Sequence, residues 1–344
     1  MAHNPRAVVI TGASAGVGRA VACEFARHGW SVGLVARGQA GLEAARAEVE
    51  RLGGRAFVLP ADVAEAKAVG TAADRFADRF GRINVWINAA MATVLSPVSD
   101  TTPEEFSRVT DVTYLGQVHG VMAALRHMRG EGQGTIVSIG SALAYRGIPL
   151  QAPYCAAKFA TRGFLDALRT ELLHEGSPVR VTEVHLPAVN TPQFDWARNK
   201  MPRRAMPVPP VFQPEAIARE VYRAALSAPR EIWLGGSAAK AILGDAFAPR
   251  LVDRMLSTQG YSGQQTEDQA RERPDNLFEP LDRERDFGAR GRFDDIASDG
   301  VTAFNPVWLK VGAIAAVGAL AAGGFALGAA WGRSSASPVQ RPRA

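Results

Sequence analysis

The sequence predicts an α/β protein: a seven-stranded, mostly parallel sheet, doubly wound, with helices flanking both faces. Two observations carry that prediction. From residue 6 to about residue 235, short apolar runs alternate with longer segments of helical periodicity, and parallel strands need such crossovers because no hairpin can join them. The runs are apolar along their length, as strands covered on both faces are.

Taken in order, the strands fall at Ala7–Thr11, Ser31–Ala36, Ala56–Leu59, Val85–Ile87, Thr135–Ile139, Arg180–His185 and Glu231–Leu234. Helical patterns lie between them at Val17–His28, Leu42–Leu52, Val69–Phe80, Pro103–Met128 and Pro153–His174. Two segments break the alternation. Pro192 to Pro214 is long and proline-rich and carries Trp196, Met201 and Met206; a loop of that length inside a domain signals function or disorder. From Gly260 to Gly300 the composition turns polar, with Glu, Asp and Arg intermingled and little periodicity. The expected organisation is a folded α/β domain at 1–258, a poorly ordered polar linker at 259–306, an apolar helix at 307–332 and a basic tail at 333–344.

Composition narrows the function classes. Two distant cysteines, Cys23 and Cys155, make no disulfide framework and fit a reducing compartment. The formal charge of +5 is dispersed, with no Lys/Arg block interleaved with aromatics, so no nucleic-acid partner is expected. Met1 to Arg6 leads directly into the first strand without a secretory pattern, and a cytoplasmic domain is expected. Val311 to Gly332 is a stretch of about 22 uncharged residues, about 33 Å long as a helix and sufficient to cross a bilayer core. Lys310 and Arg333 flank it, Trp308 and Trp331 stand near its ends, and Gly324 and Gly328 have a close-packing spacing. A C-terminal membrane anchor is therefore expected. The alternative is an Ala/Gly-rich helix buried against a partner subunit, and the arginines at 333, 341 and 343 oppose a simple single-pass topology.

The first strand runs into Thr11-Gly-Ala-Ser-Ala-Gly-Val-Gly18, and a helix follows. Gly12, Gly16 and Gly18 let the turn tighten and bring the backbone close to a pyrophosphate, whose charge meets the helix N-terminus. With this turn, the doubly wound order is that of a Rossmann fold. A carboxylate at the end of the second strand would hold the ribose 2′-hydroxyl of NAD. The chain instead reads Leu34-Val-Ala-Arg-Gly38. Arg37 suits a 2′-phosphate, so NADP(H) is expected over NAD(H).

Tyr154 and Lys158, in Tyr-Cys-Ala-Ala-Lys, lie one turn apart on the same helix face. A phenol keeps its proton until about pH 10, and a neighbouring ammonium favours its ionised form. Ser141 stands thirteen residues upstream of Tyr154, after the fifth strand.

With these motifs, residues 5 to about 255 resemble a classical short-chain dehydrogenase/reductase. Thr11 to Gly18 matches the family's T-G-x-x-x-G-x-G, and Ser141, Tyr154 and Lys158 match its catalytic serine and Y-x-x-x-K at family spacing. The resemblance implies cofactor contacts from Gly12, Ser14, Gly16, Val17, Gly18 and Arg37. Asp62 and Val63 would hold the adenine, and Asn88, Ala89, Val189 and Thr191 would also contact cofactor. Ser141 would bind the substrate oxygen. Tyr154 would transfer the proton, and Lys158 would bind the nicotinamide ribose and lower the phenol pKa. Three places depart from the family pattern. Asn88-Ala-Ala-Met91 stands for Asn-Asn-Ala-Gly, and Leu186-Pro187 stands for Pro-Gly. Thr113, in Val112-Thr-Tyr-Leu-Gly116, takes the place of the tetrad asparagine, whose backbone carbonyl helps hold a water linked to the lysine.

The implied activity is carbonyl/alcohol interconversion by hydride transfer. The apolar side chains of the 191–214 loop and the apolar C-terminal stretch point to a lipophilic small molecule. A homodimer or homotetramer, joined through the helices at Pro103–Met128 and Pro153–His174, follows from the resemblance. The competing readings are a catalytically impaired nucleotide-binding sensor or scaffold, favoured by the three departures, and an extended-branch epimerase or dehydratase.

Overall fold

A computed structural model describes residues 6–307. All seven expected strands are present: β1 (Ala7–Thr11), β2 (Ser31–Ala36), β3 (Arg55–Pro60), β4 (Val85–Asn88), β5 (Gly134–Ser141), β6 (Val179–Leu186) and β7 (Glu231–Leu234). They are parallel and lie in the order β7-β6-β5-β4-β1-β2-β3. The chain winds outward from β1 to β3, then returns to the other side of β1 and winds outward again to β7. That reversal opens a crevice at the carboxyl ends of β1 and β4, where ligands of such sheets bind.

The apolar runs of the sequence have two faces to fill. In β1, Val8 and Ile10 join a cluster with Phe25, Leu34, Ile217 and Val221, while Val9 joins Phe76, Trp86, Val121 and Leu165 on the other face. Alternate residues of a strand point to opposite sides, so both must be apolar. The first cluster packs α1 (Gly16–Arg27), α2 (Gln39–Arg51) and a later helix over Pro214–Ser227; the second packs α3 (Ala66–Phe80) and the helices that follow it.

One predicted helix is interrupted. Instead of a continuous Pro103–Met128, the chain forms α4 (Pro103–Thr110), a π-helical turn at Asp111–Leu115 and α5 (Gly116–Glu131). Thr102 caps α4 in a capping box with Glu105, which fixes its start. The widened turn lets α5 settle on the loop after β3, where a Cβ on Gly116 would lie 2.6 Å from Val63 Cγ2. The next helix, α6 (Ala152–His174), matches its expected span and carries Tyr154 and Lys158. Beyond it lie α7 (Pro214–Ser227), α8 (Gly236–Phe247) and α9 (Pro249–Ser262).

The expected poorly ordered linker at 259–306 is corrected by the structure. Gln265–Gln269 pairs antiparallel with Arg203–Ala205. Farther on, Leu277 is fully buried and Phe293 packs on Phe194 in a small cluster with Leu95 and Ala205. Isolated apolar anchors and main-chain pairing leave no periodic signal, so the polar composition concealed them. The Pro192–Pro214 loop is likewise tied down: Arg198–Asn199 pairs with Val94–Leu95, and Val211–Phe212 with Ala188–Val189.

The compact unit described so far ends at Ala303. In the second unit, the described residues make a local turn in which the Val307 N–H bonds Asn305 Oδ1 at 3.0 Å. The expected anchor over 307–332 and the tail at 333–344 lie outside the described residues, apart from Val307. Among the described residues, no helix is long and apolar enough to cross a membrane.

Candidate active site

A cavity of about 490 Å³ opens at the carboxyl ends of the strands. The glycine turn lines one part of it. Gly12 takes a φ of +71°, and a Cβ there would lie 2.8 Å from the Ala90 backbone. A Cβ on Gly18 would stand 2.2 Å from Gly12 O. Thr11 Oγ1 accepts from the N–H groups of Ala89 and Ala90 at 3.2 and 3.3 Å, holding the turn against the loop after β4. Side chains larger than hydrogen have no room here, so the backbone itself forms the wall. Ala15 caps α1 without a side-chain acceptor. The first amides of a helix lack intrahelical partners; the Gly16 N–H is taken by the Gly288 carbonyl at 3.1 Å, while Val17 and Gly18 border the cavity at the helix start, a fit for an anionic diphosphate.

Arg37, Asp62 and Val63 line the adenosine end with Ser14. Asp62 accepts from Arg108 Nη2 at 2.5 Å and from the Ala64 N–H at 3.0 Å. Arg37 does not project freely into solvent. It donates to the Phe278 carbonyl at 2.7 Å and to that of Asn276, lies 4.0 Å from Asp62, and burial pushes its pKa down. The donors assigned to a 2′-phosphate are thus partly engaged by the polypeptide.

Ser141, Tyr154 and Lys158 meet in the same cavity. Ser141 ends β5, and its Oγ accepts from the Leu143 N–H at 3.1 Å. Behind it, His185 Nδ1 donates to the Ser141 carbonyl at 3.1 Å, and His185 Nε2 faces Glu231 at 3.3 Å and Glu183 at 3.6 Å. This buried group steadies the strand end that presents the hydroxyl. Burial pushes the Tyr154 pKa up, and the Ser141 hydroxyl pulls it down. The Lys158 ammonium donates to the Ile139 carbonyl at 2.6 Å and sits 5.5 Å from the Tyr154 ring centre. Only 2% exposed, its pKa is pushed down by burial to about 8, against an opposing pull from Glu183.

Thr113 and Asn88 are fully buried and do not border the cavity. Thr113 Oγ1 bonds both the N–H and the carbonyl of Ala92 at 2.9 Å, pinning the π-helical turn to the loop after β4. Asn88 accepts from Trp86 Nε1 at 2.8 Å and donates to the Gln117 carbonyl at 3.4 Å, which joins β4 to α5. Gly12, Ser14, Gly16, Val17, Gly18, Arg37, Asp62, Val63, Ala89, Val189 and Thr191 do line the cavity, as does Met91.

Sequence reasoning missed Gln117. Its Nε2 reaches the carbonyls of Thr113 and Ile139 at 3.5 and 3.4 Å. A side chain therefore connects the Thr113 carbonyl to the carbonyl that holds Lys158. The four-residue step from Thr113 on a helix was the available signal. Asn276 and Asp282, from the polar segment, also line the cavity, and nothing in their local sequence marked them.

Known proteins similar to this chain identify its family. The family model for short chain dehydrogenase matches residues 6–202. Uncharacterized oxidoreductase YxnA of Bacillus subtilis is 34% identical over 267 residues, 76% of this chain and 74% of that protein. The 17-beta-hydroxysteroid dehydrogenase 13 of Rattus norvegicus is 29% identical over 251 residues, 73% and 81% of the two chains. An X-ray structure of an alcohol dehydrogenase from Thermococcus sibiricus, complexed with 5-hydroxy-NADP, superposes with a TM-score of 0.56 at 28% identity. It covers 66% of this chain and 95% of its own. The chain belongs to the short chain dehydrogenase family, as an oxidoreductase of the alcohol/carbonyl class.

Proposed function

We propose that the protein interconverts a carbonyl and an alcohol on a lipophilic small molecule, with a nicotinamide dinucleotide as hydride partner. The observation that carries this reading is the convergence of Ser141, Tyr154 and Lys158 on the cavity that the glycine turn also lines.

When bound, the dinucleotide supplies or accepts the hydride. The remaining work falls to the chain. Ser141 Oγ hydrogen-bonds the substrate oxygen and stabilises the charge that develops there. Tyr154 gives that oxygen its proton in reduction and removes it in oxidation. Lys158, held on Ile139 O, presents its remaining N–H donors to the ribose hydroxyls. Gln117 keeps the Ile139 and Thr113 carbonyls in fixed positions behind it.

Leu143, Ile148, Phe194, Trp196, Met206 and Met255 border the same cavity, which supports an apolar substrate. The name of the rat relative, a hydroxysteroid dehydrogenase, is in keeping with this. The large apolar side chains exposed on α4 to α6 (Phe106, Met122, Phe159 and Leu173) support assembly into a homodimer or homotetramer. Light scattering on purified protein tests that assembly. The NADP(H) preference drawn from Arg37 is not carried forward, because backbone carbonyls engage that guanidinium.

A panel of apolar and polar carbonyls and alcohols, assayed with both dinucleotides on wild type and Tyr154→Phe, tests the reading. Turnover of apolar substrates, lost in the variant while dinucleotide still binds, is expected. Turnover confined to polar sugars would overturn the substrate class. Binding without turnover of any compound would favour the sensor instead.

A further inference from the structure

The carboxylate missing from the end of β2 is replaced from far along the chain. Residues 276–291 run as a strap over the glycine turn and the start of α2. Arg108 Nε donates to Leu277 O at 2.9 Å, and Arg37 donates to Phe278 O at 2.7 Å. Farther on, Arg19 pairs with Asp286, and the Gly16 N–H bonds Gly288 O at 3.1 Å. Between these anchors lies Asp282, only 6% exposed and bordering the cavity. Its carboxylate presses on two glycines: a Cβ on Gly38 would stand 1.9 Å from Oδ1, and one on Gly41 would stand 2.8 Å from Oδ2 and 3.0 Å from Ser14 Cβ. Among the described residues, no hydrogen-bond donor reaches this carboxylate, and Arg37 attracts it by charge. Because the side chain borders the cavity with its acceptor capacity unused by those residues, a ligand that donates hydrogen bonds fits the site.

We infer that Asp282 receives the adenosine ribose hydroxyls and selects NAD(H) over NADP(H), an inference that rests on the dinucleotide reading above. A ribose 2′-hydroxyl donates to a carboxylate. A 2′-phosphate, which is close to doubly charged near neutral pH, is repelled by it. The cations nearby do not offset that repulsion, since Arg37 faces Asp62 and Asp282, and Arg108 is paired with Asp62. Asp282 does from the strap what a strand-two carboxylate does in other dinucleotide sheets.

Titration calorimetry on the full chain tests this without relying on turnover. NADH, NADPH and NADH lacking the adenosine 2′-hydroxyl are titrated into wild type, Asp282→Asn and Asp282→Glu, with each variant's fold checked by thermal melting. Wild type is expected to bind NADH about tenfold or more tighter than NADPH, and to lose about tenfold with the 2′-deoxy compound. In Asp282→Asn the NADH-to-NADPH ratio collapses by about tenfold or more and the 2′-deoxy penalty shrinks, while Asp282→Glu retains discrimination against NADPH. The wild-type comparisons need no variant to fold. NADPH binding as tight as NADH in wild type, or a 2′-deoxy penalty unchanged in Asp282→Asn, overturns the role of Asp282 and leaves the dehydrogenase reading standing. Failure of any dinucleotide to bind wild type overturns that reading itself, and this inference with it.

Discussion

The Lys158 ammonium donates to the main-chain carbonyl of Ile139 at 2.6 Å, on the strand that ends in Ser141. The lysine is thereby fixed by the sheet, and the phenol one helical turn away is modulated by Ser141. Burial has moved the lysine pKa from 10.5 to about 8, so between those values the unfolded chain holds a proton that the folded chain has released. Stability from this group therefore rises with pH across that window. The melting temperature of the ligand-free protein is expected to show this rise relative to Lys158→Met. Dinucleotide affinity should fall over the same range, as the ammonium that binds the ribose loses its charge. A calorimetric affinity that stays flat from below pH 8 to above pH 10 would contradict the assignment.

Ser141→Ala removes the hydroxyl proposed to bind the substrate oxygen, which also pulls the Tyr154 pKa down. Turnover should fall by about 10²–10³. The fold should persist, since among the described residues the Leu143 N–H is the one backbone donor to that hydroxyl. Steady-state kinetics alongside circular dichroism distinguishes this from simple unfolding.

Gln117→Leu removes the amide that donates to the Thr113 and Ile139 carbonyls. A loss of about 1–3 kcal/mol in urea unfolding is expected. The inflection of the pH–affinity curve should also shift, because Ile139 O then has Lys158 as its sole side-chain donor. A stability change with no movement of that inflection would confine Gln117 to packing.

Leu277→Ala tests whether the strap is part of the folded unit. The side chain is fully buried, and its removal should cost about 2–5 kcal/mol. A disordered linker would tolerate the change without effect. Denaturant unfolding of the two proteins decides between these outcomes.

Most of the α/β core was legible because its determinants are local. A strand buried on both faces must be apolar along its whole length, as in Ala7–Thr11, and a helix that covers it must carry an apolar stripe. Thr11 to Gly18 could be read for a similar reason, since a tight turn leading into a helix demands residues without Cβ wherever backbone meets backbone. Tyr154 and Lys158 were legible as a pair through the fixed geometry of one helix, and the resemblance to the short-chain dehydrogenases added Ser141.

Local pattern settled the doubly wound sheet and the glycine turn, and it put Tyr154 and Lys158 on one helix face. Tertiary structure alone decided which atoms those groups face. Lys158 pairs with a carbonyl of a neighbouring strand, Gln117 bridges two carbonyls from separate elements, and Asn88 braces β4 instead of lining the cavity. Above all, Arg37 at the end of β2 and Asp282 on the strap lie 245 residues apart in sequence and share one end of the cavity. Local periodicity carries no record of such a meeting, because it depends on where a non-repetitive segment crosses the sheet edge.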